Sequence, residues 1–207
     1  MVDVSASSAP NRRLGPDARR AQLVGVGLAL MKDVPFDEVT AETVARAGGV
    51  SKALVFHYFP ATRDLQVAIL RAAAAELLVE LDVGAGLPPD ERLRAGLDAF
   101  VRYIEQQPAS YQAVVRRAGS DERLLAVFED TRASVVGIVA AALGLTELPA
   151  GLRMAIRGWI AMVEECVLHW IDGRPVPREE LVEFLRRAAL TMLPDALALG
   201  SAGPAPA

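Results

Sequence analysis

The chain has 207 residues, 52% of them hydrophobic and 23% charged, with a net charge of −4 and a mean hydropathy of +0.27. That length holds one ordinary domain or two small ones sharing a core, and so much apolar material excludes a chain that is disordered throughout. The longest internal uncharged stretch, 133–146, falls short of the roughly 18 residues a membrane span needs, no basic-then-apolar signal opens the chain, and one cysteine, Cys166, cannot form an internal disulfide, so the reducing cytoplasm is the expected compartment.

Charge is uneven: residues 1–63 carry 8 Lys/Arg against 6 Asp/Glu, and residues 64–207 carry 14 against 20. Two doublets, Arg12-Arg13 and Arg19-Arg20, lie near the start. They are either a solvated tail with a helix face or part of a basic arm that meets phosphates, Arg12 and Arg13 lying within residues 1–16. From 17 to 31 the apolar positions Leu23, Val26, Gly27 and Leu30 recur at three and four, which predicts a first helix behind Pro16. Pro35 and the polar run after it end that helix. Thr40 is placed to cap a short second helix, 41–47, which packs through Val44 and is broken by Gly48-Gly49. Ser51 caps a third, 52–58, stopped by Pro60. A long Ala- and Leu-rich helix starts at Thr62 or Arg63 and runs to about 82. Further helical patterns follow over 90–106, 108–117, 121–143, 150–171 and 177–193. No segment alternates at period two, so the fold class is all-α. The expected division is an arm (1–16), a three-helix unit (17–62), a larger helical unit (63–195) and a Gly/Ala/Pro tail (196–207) expected to be disordered.

Two short helices joined by a glycine turn have the layout of a helix-turn-helix, in which the second helix enters the major groove N-terminus first. The residues are more specific than the layout: Phe36-Asp37-Glu38-Val39-Thr40, Val44 through Lys52, His57-Tyr58-Phe59-Pro60 and Asp64-Leu65. From Arg19 to Ile69 this run resembles the DNA-binding domain of TetR-family transcriptional repressors. The resemblance implies a double-stranded DNA operator as partner, contacted by Arg12, Arg13, Thr40, Lys52, Ala53, His57, Tyr58, Thr62 and Arg63, with Phe56 and Phe59 in the core. Thr40 and Thr62 sit at helix N-termini, where backbone N–H groups favour phosphate. The chain also departs from the family pattern. Leu54, Phe56 and Thr62 stand where the family usually has Thr or Ser, Tyr, and Lys, and Glu42 stands where it often has a basic residue. Those are three fewer phosphate holders and one repulsive carboxylate.

In 150–171, Leu152, Ile156, Trp159, Val163, Cys166 and Trp170 form one apolar stripe, and Met154, Ala161 and Leu168 recur every seven residues on the opposite side. Burial on two faces suits a helix that lines its own core and meets a symmetry mate, and the family resemblance implies the same for the last two helices. The expected homodimer seam is Met154, Ala161 and Leu168, with Phe184 and Ala188 of the final helix. The family also binds small effectors among its later helices. The expected apolar pocket is lined by Phe100, Tyr103, Tyr111, Phe128, Trp159, Met162 and Cys166, with Glu165 or His169 as polar anchor and Glu164 and Arg157 assigned to surface or interface.

Enzymatic signatures are missing from the sequence. There is no pair of histidines on one helix turn, no Gly-x-Ser-x-Gly elbow, and Gly25-Val26-Gly27 lacks a third glycine and a preceding strand, so neither metal, cofactor nor catalysis is expected. The reading is a ligand-responsive transcriptional repressor. A helical small-molecule-binding protein of the same fold with little DNA affinity is the alternative.

Overall fold

The computed structural model describes residues 15–118 and 121–196, so the expected arm through residue 14 and the tail beyond 196 lie outside the described residues. Among those described, the regular structure is entirely helical: α1 (Pro16–Asp33), a 3₁₀ turn (Phe36–Glu38), α2 (Ala41–Ala47), α3 (Lys52–Tyr58), α4 (Thr62–Leu81), α5 (Pro89–Gln106), α6 (Pro108–Ala118), α7 (Glu122–Ala142), α8 (Ala150–Gly173) and α9 (Arg178–Ala196). None of these helices is long and apolar enough to cross a membrane.

Local chemistry sets the short helices. The Thr40 hydroxyl accepts the Thr43 N–H at 3.2 Å and the Thr43 hydroxyl accepts the Thr40 N–H at 2.8 Å, a reciprocal cap on α2. At the other end the Gly49 N–H donates to the Arg46 carbonyl and the Val50 N–H to the Ala45 carbonyl, closing a Schellman turn that holds Gly49 at a φ of +63°. That turn sets the angle between α2 and α3, and Ser51 caps α3 by accepting the Leu54 N–H at 3.1 Å. The run after Pro35, expected only as a polar connection, forms the 3₁₀ turn, because Phe36 is fully buried there. On that turn docks α6, whose Ser110 hydroxyl donates to the Val34 carbonyl at 2.8 Å.

Two apolar cores result. The first gathers Leu23, Phe36, Val39, Val44, Val55, Phe59, Leu65 and Ile69, and extends into Ala113 and Val114 of α6 and Leu124 and Val127 of α7. The second joins α4, α5, α7, α8 and α9 through residues such as Val101, Ile104, Leu152, Ile156, Val167 and Leu185. Trp159 pins α8 to α9 by donating its indole N–H to the Leu185 carbonyl at 3.1 Å. Helix α4 belongs to both cores, so the three N-terminal helices and the larger bundle share one long element.

Candidate nucleic-acid interface and ligand cavity

One face of α3 turns outward. Lys52, Ala53, Phe56 and His57 are exposed, Leu54 and Tyr58 are half-buried, and Val55 and Phe59 are buried. At about 100° per residue the four exposed positions span an arc of about 140°, with Phe56 between Lys52 and Ala53. Phe56 therefore corrects the expectation that it joins Phe59 in the core: it is 37% exposed against 1% for Phe59, because Val55 and Phe59 already occupy the inward side. His57 meets Tyr58 edge to face at 5.1 Å.

Three of the polar residues expected to meet phosphate, Lys52, Thr40 and Arg63, have internal partners. The Lys52 ammonium lies 3.2 Å from a Glu42 carboxylate oxygen across the turn, with both side chains more than half exposed. An exposed pair of this kind contributes no more than about 1 kcal/mol, so it competes with a phosphate without excluding one. The Thr40 hydroxyl is engaged in its cap, and Thr62 is half-buried at the first position of α4. Arg63 departs furthest from expectation. Its Nε lies 2.9 Å from Asp121 and its Nη1 donates to Gln66 at 3.0 Å, so the guanidinium is tied to the start of α7. Asp121 also caps α7, accepting the Arg123 and Leu124 N–H groups. In the reverse direction Arg123 of α7 reaches Asp64 of α4 at 2.8 Å. That guanidinium, and then the Ala61 N–H, hold the Asp64 carboxyl below its ordinary pKa of 3.8, so it is ionised at neutral pH. Two crossed ion pairs thus clasp the first turn of α4 to the first turn of α7. Neither is visible in the sequence, because the partners are 58 and 59 residues apart.

Between α4, α5, α6, α7 and α8 lies a cavity of about 120 Å³. Phe100, Tyr103, Tyr111, Phe128 and Trp159 are all on its wall, with Leu70, Ala73 and Leu77 of α4. Its lining excludes Met162, Glu165, Cys166 and His169, which the sequence pattern assigns to it. Trp159, Ile160, Val163 and Glu164 form the cavity side of α8. Glu165 and His169 project about 180° from the middle of that set and are exposed, while Met162 and Cys166 flank it half-buried. Val167, fully buried, and half-buried Cys166 both pack on the second core.

Glu164, expected at the surface or interface, is only 8% exposed and lies on the cavity wall. Arg132 of α7 grips it, with Nε 3.1 and 3.2 Å from the two carboxylate oxygens and a further short contact from Nη2. The same guanidinium lies 4.3 Å from the centre of the Phe128 ring and also binds Glu129, which in turn pairs with exposed Arg157. A surface prediction for Glu164 follows from its helix alone; its neutralising partner comes from another helix. Burial pushes the Tyr103 hydroxyl up to about 12 and that of Tyr111 up as well, so both remain protonated at neutral pH. Tyr103 donates to the Ala73 carbonyl at 3.2 Å. The wall is thus a largely apolar, aromatic surface on which Arg132 and Glu164 neutralise each other and Arg92 pairs with Asp82 at 2.9 Å.

On the outer side of α8 and α9, Met154 is 64% and Phe184 51% exposed, Ala161 is exposed, and Leu168 and Ala188 are half-buried. Leu190 and Met192 are exposed as well. Among the described residues, no helix covers Met154 or Phe184.

A helix-turn-helix with an outward-facing second helix, joined by one continuous helix to a bundle enclosing an apolar cavity, defines the class of bacterial helix-turn-helix transcriptional regulators with a helical C-terminal domain. Residues 23–69 match the family of bacterial regulatory proteins, tetR family, and residues 89–192 match the tetracyclin repressor-like C-terminal domain. The chain belongs to the TetR family of transcriptional regulators. It is 24% identical over 179 residues to the HTH-type transcriptional activator FasR of Mycolicibacterium smegmatis, covering 83% of this chain and 81% of that protein. A crystal structure of a tetR-family transcriptional regulator from Streptomyces coelicolor superposes with a TM-score of 0.79 at 29% identity, over 89% of this chain and 84% of that one. A TetR transcriptional regulator from Rhodococcus sp. RHA1 shares the fold, with a TM-score of 0.65 at 19% identity over 90% and 98% of the two chains.

Proposed function

We propose that this chain acts in the cytoplasm as a homodimer that holds a quasi-palindromic operator through its two α3 helices and releases it when a small, largely apolar effector fills the cavity. The observation that carries this reading is α4. It starts four residues after α3 ends, and its Leu70, Ala73 and Leu77 form part of the cavity wall. Apolar cavities of about this size stay dry and accept small apolar molecules. A molecule entering here must press on α4 or on α7, which is clasped to it. Coupling then requires that the effector bind the free protein more tightly than the operator-bound one. Occupation of an operator that overlaps a promoter gives repression, and release lifts it. The likeness to a protein named as an activator fits the same binding cycle with a differently placed site.

Dimerisation in this reading uses the uncovered face of α8 and α9, with Met154, Ala161, Leu168, Phe184 and Ala188 at the seam. A surface patch of this apolar character is unusual for a monomer. The second reading, a ligand-binding protein of the same fold with little DNA affinity, draws support from two observations: Glu42 neutralises Lys52, and Asp121 engages Arg63. One experiment separates them. Full-length protein is titrated onto duplexes enriched from a random pool, with and without apolar compounds that raise its melting temperature. Tight binding relieved by such a compound supports the regulator. Ligand-induced stabilisation with no duplex bound supports the alternative.

A further inference from the structure

We infer that Phe56, with Ala53 beside it, reads thymine 5-methyl groups on the floor of the major groove, so that each operator half-site carries thymine where this ring lands. The inference rests on α3 being the groove-entering helix. Its outward arc is ordered by chemistry. Lys52 and His57 stand at the two edges, and the apolar pair Phe56 and Ala53 lies between them. The edges can reach the phosphate walls of a groove, and the middle faces its floor.

That floor consists of hydrogen-bonding base edges with one apolar feature, the thymine methyl. A phenyl ring neither donates nor accepts a hydrogen bond, so pressing it on a polar edge removes water and returns nothing. Against a methyl group both partners lose apolar surface to water, which is favourable. Phe56 is a large aromatic left 37% exposed, and the inward side of α3 is already filled by Val55 and Phe59. Ala53 lies three residues earlier, on an adjoining part of the face, and its small side chain lets the helix approach closely.

The test begins with duplexes enriched from a random pool by the full-length protein, in which each thymine is then replaced by deoxyuridine, a change that removes only the methyl. Replacing the thymine under Phe56 is expected to weaken binding about fourfold in one half-site and about fifteenfold in both, corresponding to about 0.8 kcal/mol for one buried carbon. Phe56→Ala should bind the thymine and uracil duplexes equally, with an unchanged salt dependence because no phosphate contact is lost. Phe56→Leu, still apolar, should keep part of the discrimination. Wild-type binding that is indifferent to uracil at every thymine would overturn the inference while leaving DNA binding intact, as would methyl discrimination that survives in Phe56→Ala. Failure to enrich any duplex would overturn the DNA-reading role of α3 and this inference with it.

Discussion

Gly27 and Ile69 meet where α1 crosses α4. A Cβ added at Gly27 would lie 2.2 Å from Ile69 Cδ1, and Ile69 is fully buried, so the ring of contacts has no slack. Gly27→Ala is therefore expected to lower stability by about 1–3 kcal/mol despite its better helix propensity, read as a reduced urea midpoint. On the outer surface, Lys52→Ala should weaken duplex binding strongly while Arg178→Ala, in a side chain bound to Glu105 and Asp98 far from α3, leaves it nearly unchanged. Glu42→Gln should act in the opposite direction. Releasing Lys52 is expected to tighten binding and steepen the salt dependence by about one phosphate contact, measured by titration at several salt concentrations. At this scale the sequence was legible wherever the cause is local. Thr40, Ser51 and Gly49 act on backbone groups within five residues, and each is found capping or turning as its position predicts. Phe56 and Glu164 were not legible, because residue type sends a phenyl ring inward and a carboxylate outward, and here the neighbours that decide sit on the far side of the helix or on another one.

Among the elements, apolar periodicity and Pro/Gly punctuation placed the helices to within a few residues at each end. The 3₁₀ turn escaped it, since its one buried residue, Phe36, is fixed by docking of the N-terminal helices and α6, not by any repeat. The assembly of the cavity was half legible: all five aromatic wall residues are where expected, but its polar pair joins α7 to α8 and leaves no trace in either helix alone. That pair makes a measurable claim. Arg132→Met alone leaves the Glu164 carboxylate buried without its partner and should cost about 3 kcal/mol. The double change Arg132→Met with Glu164→Leu should recover most of that loss, because an apolar replacement removes both charges together. A thermal or urea unfolding comparison of the single and double variants checks it, and equal destabilisation by both would mean that the pair contributes nothing beyond packing.

At the scale of the whole molecule, the distribution of charge and apolar surface is what the proposed assembly rests on. The excess of acidic residues falls after residue 63, the N-terminal portion is mildly basic, and the large exposed apolar side chains of α8 and α9 lie in the acidic part. In the proposed homodimer, two copies meeting along α8 and α9 would cover those side chains and leave both α3 helices free. Ala161→Arg places a charge on each side of that seam and should give a folded monomer that binds duplex poorly, seen as a halved mass in sedimentation with unchanged helical content. The central claim, that two α3 faces engage one duplex chiefly through phosphates and two half-sites, is tested most directly by the affinity of the full-length protein for an enriched duplex measured between 50 and 200 mM salt. The account predicts a steep fall, about a thousandfold or more for six or so phosphate contacts, together with an enriched sequence of two-fold symmetry whose half-sites are about one helical turn apart. An affinity that changes by only a few fold across that range, or an enriched sequence without symmetry, would contradict it.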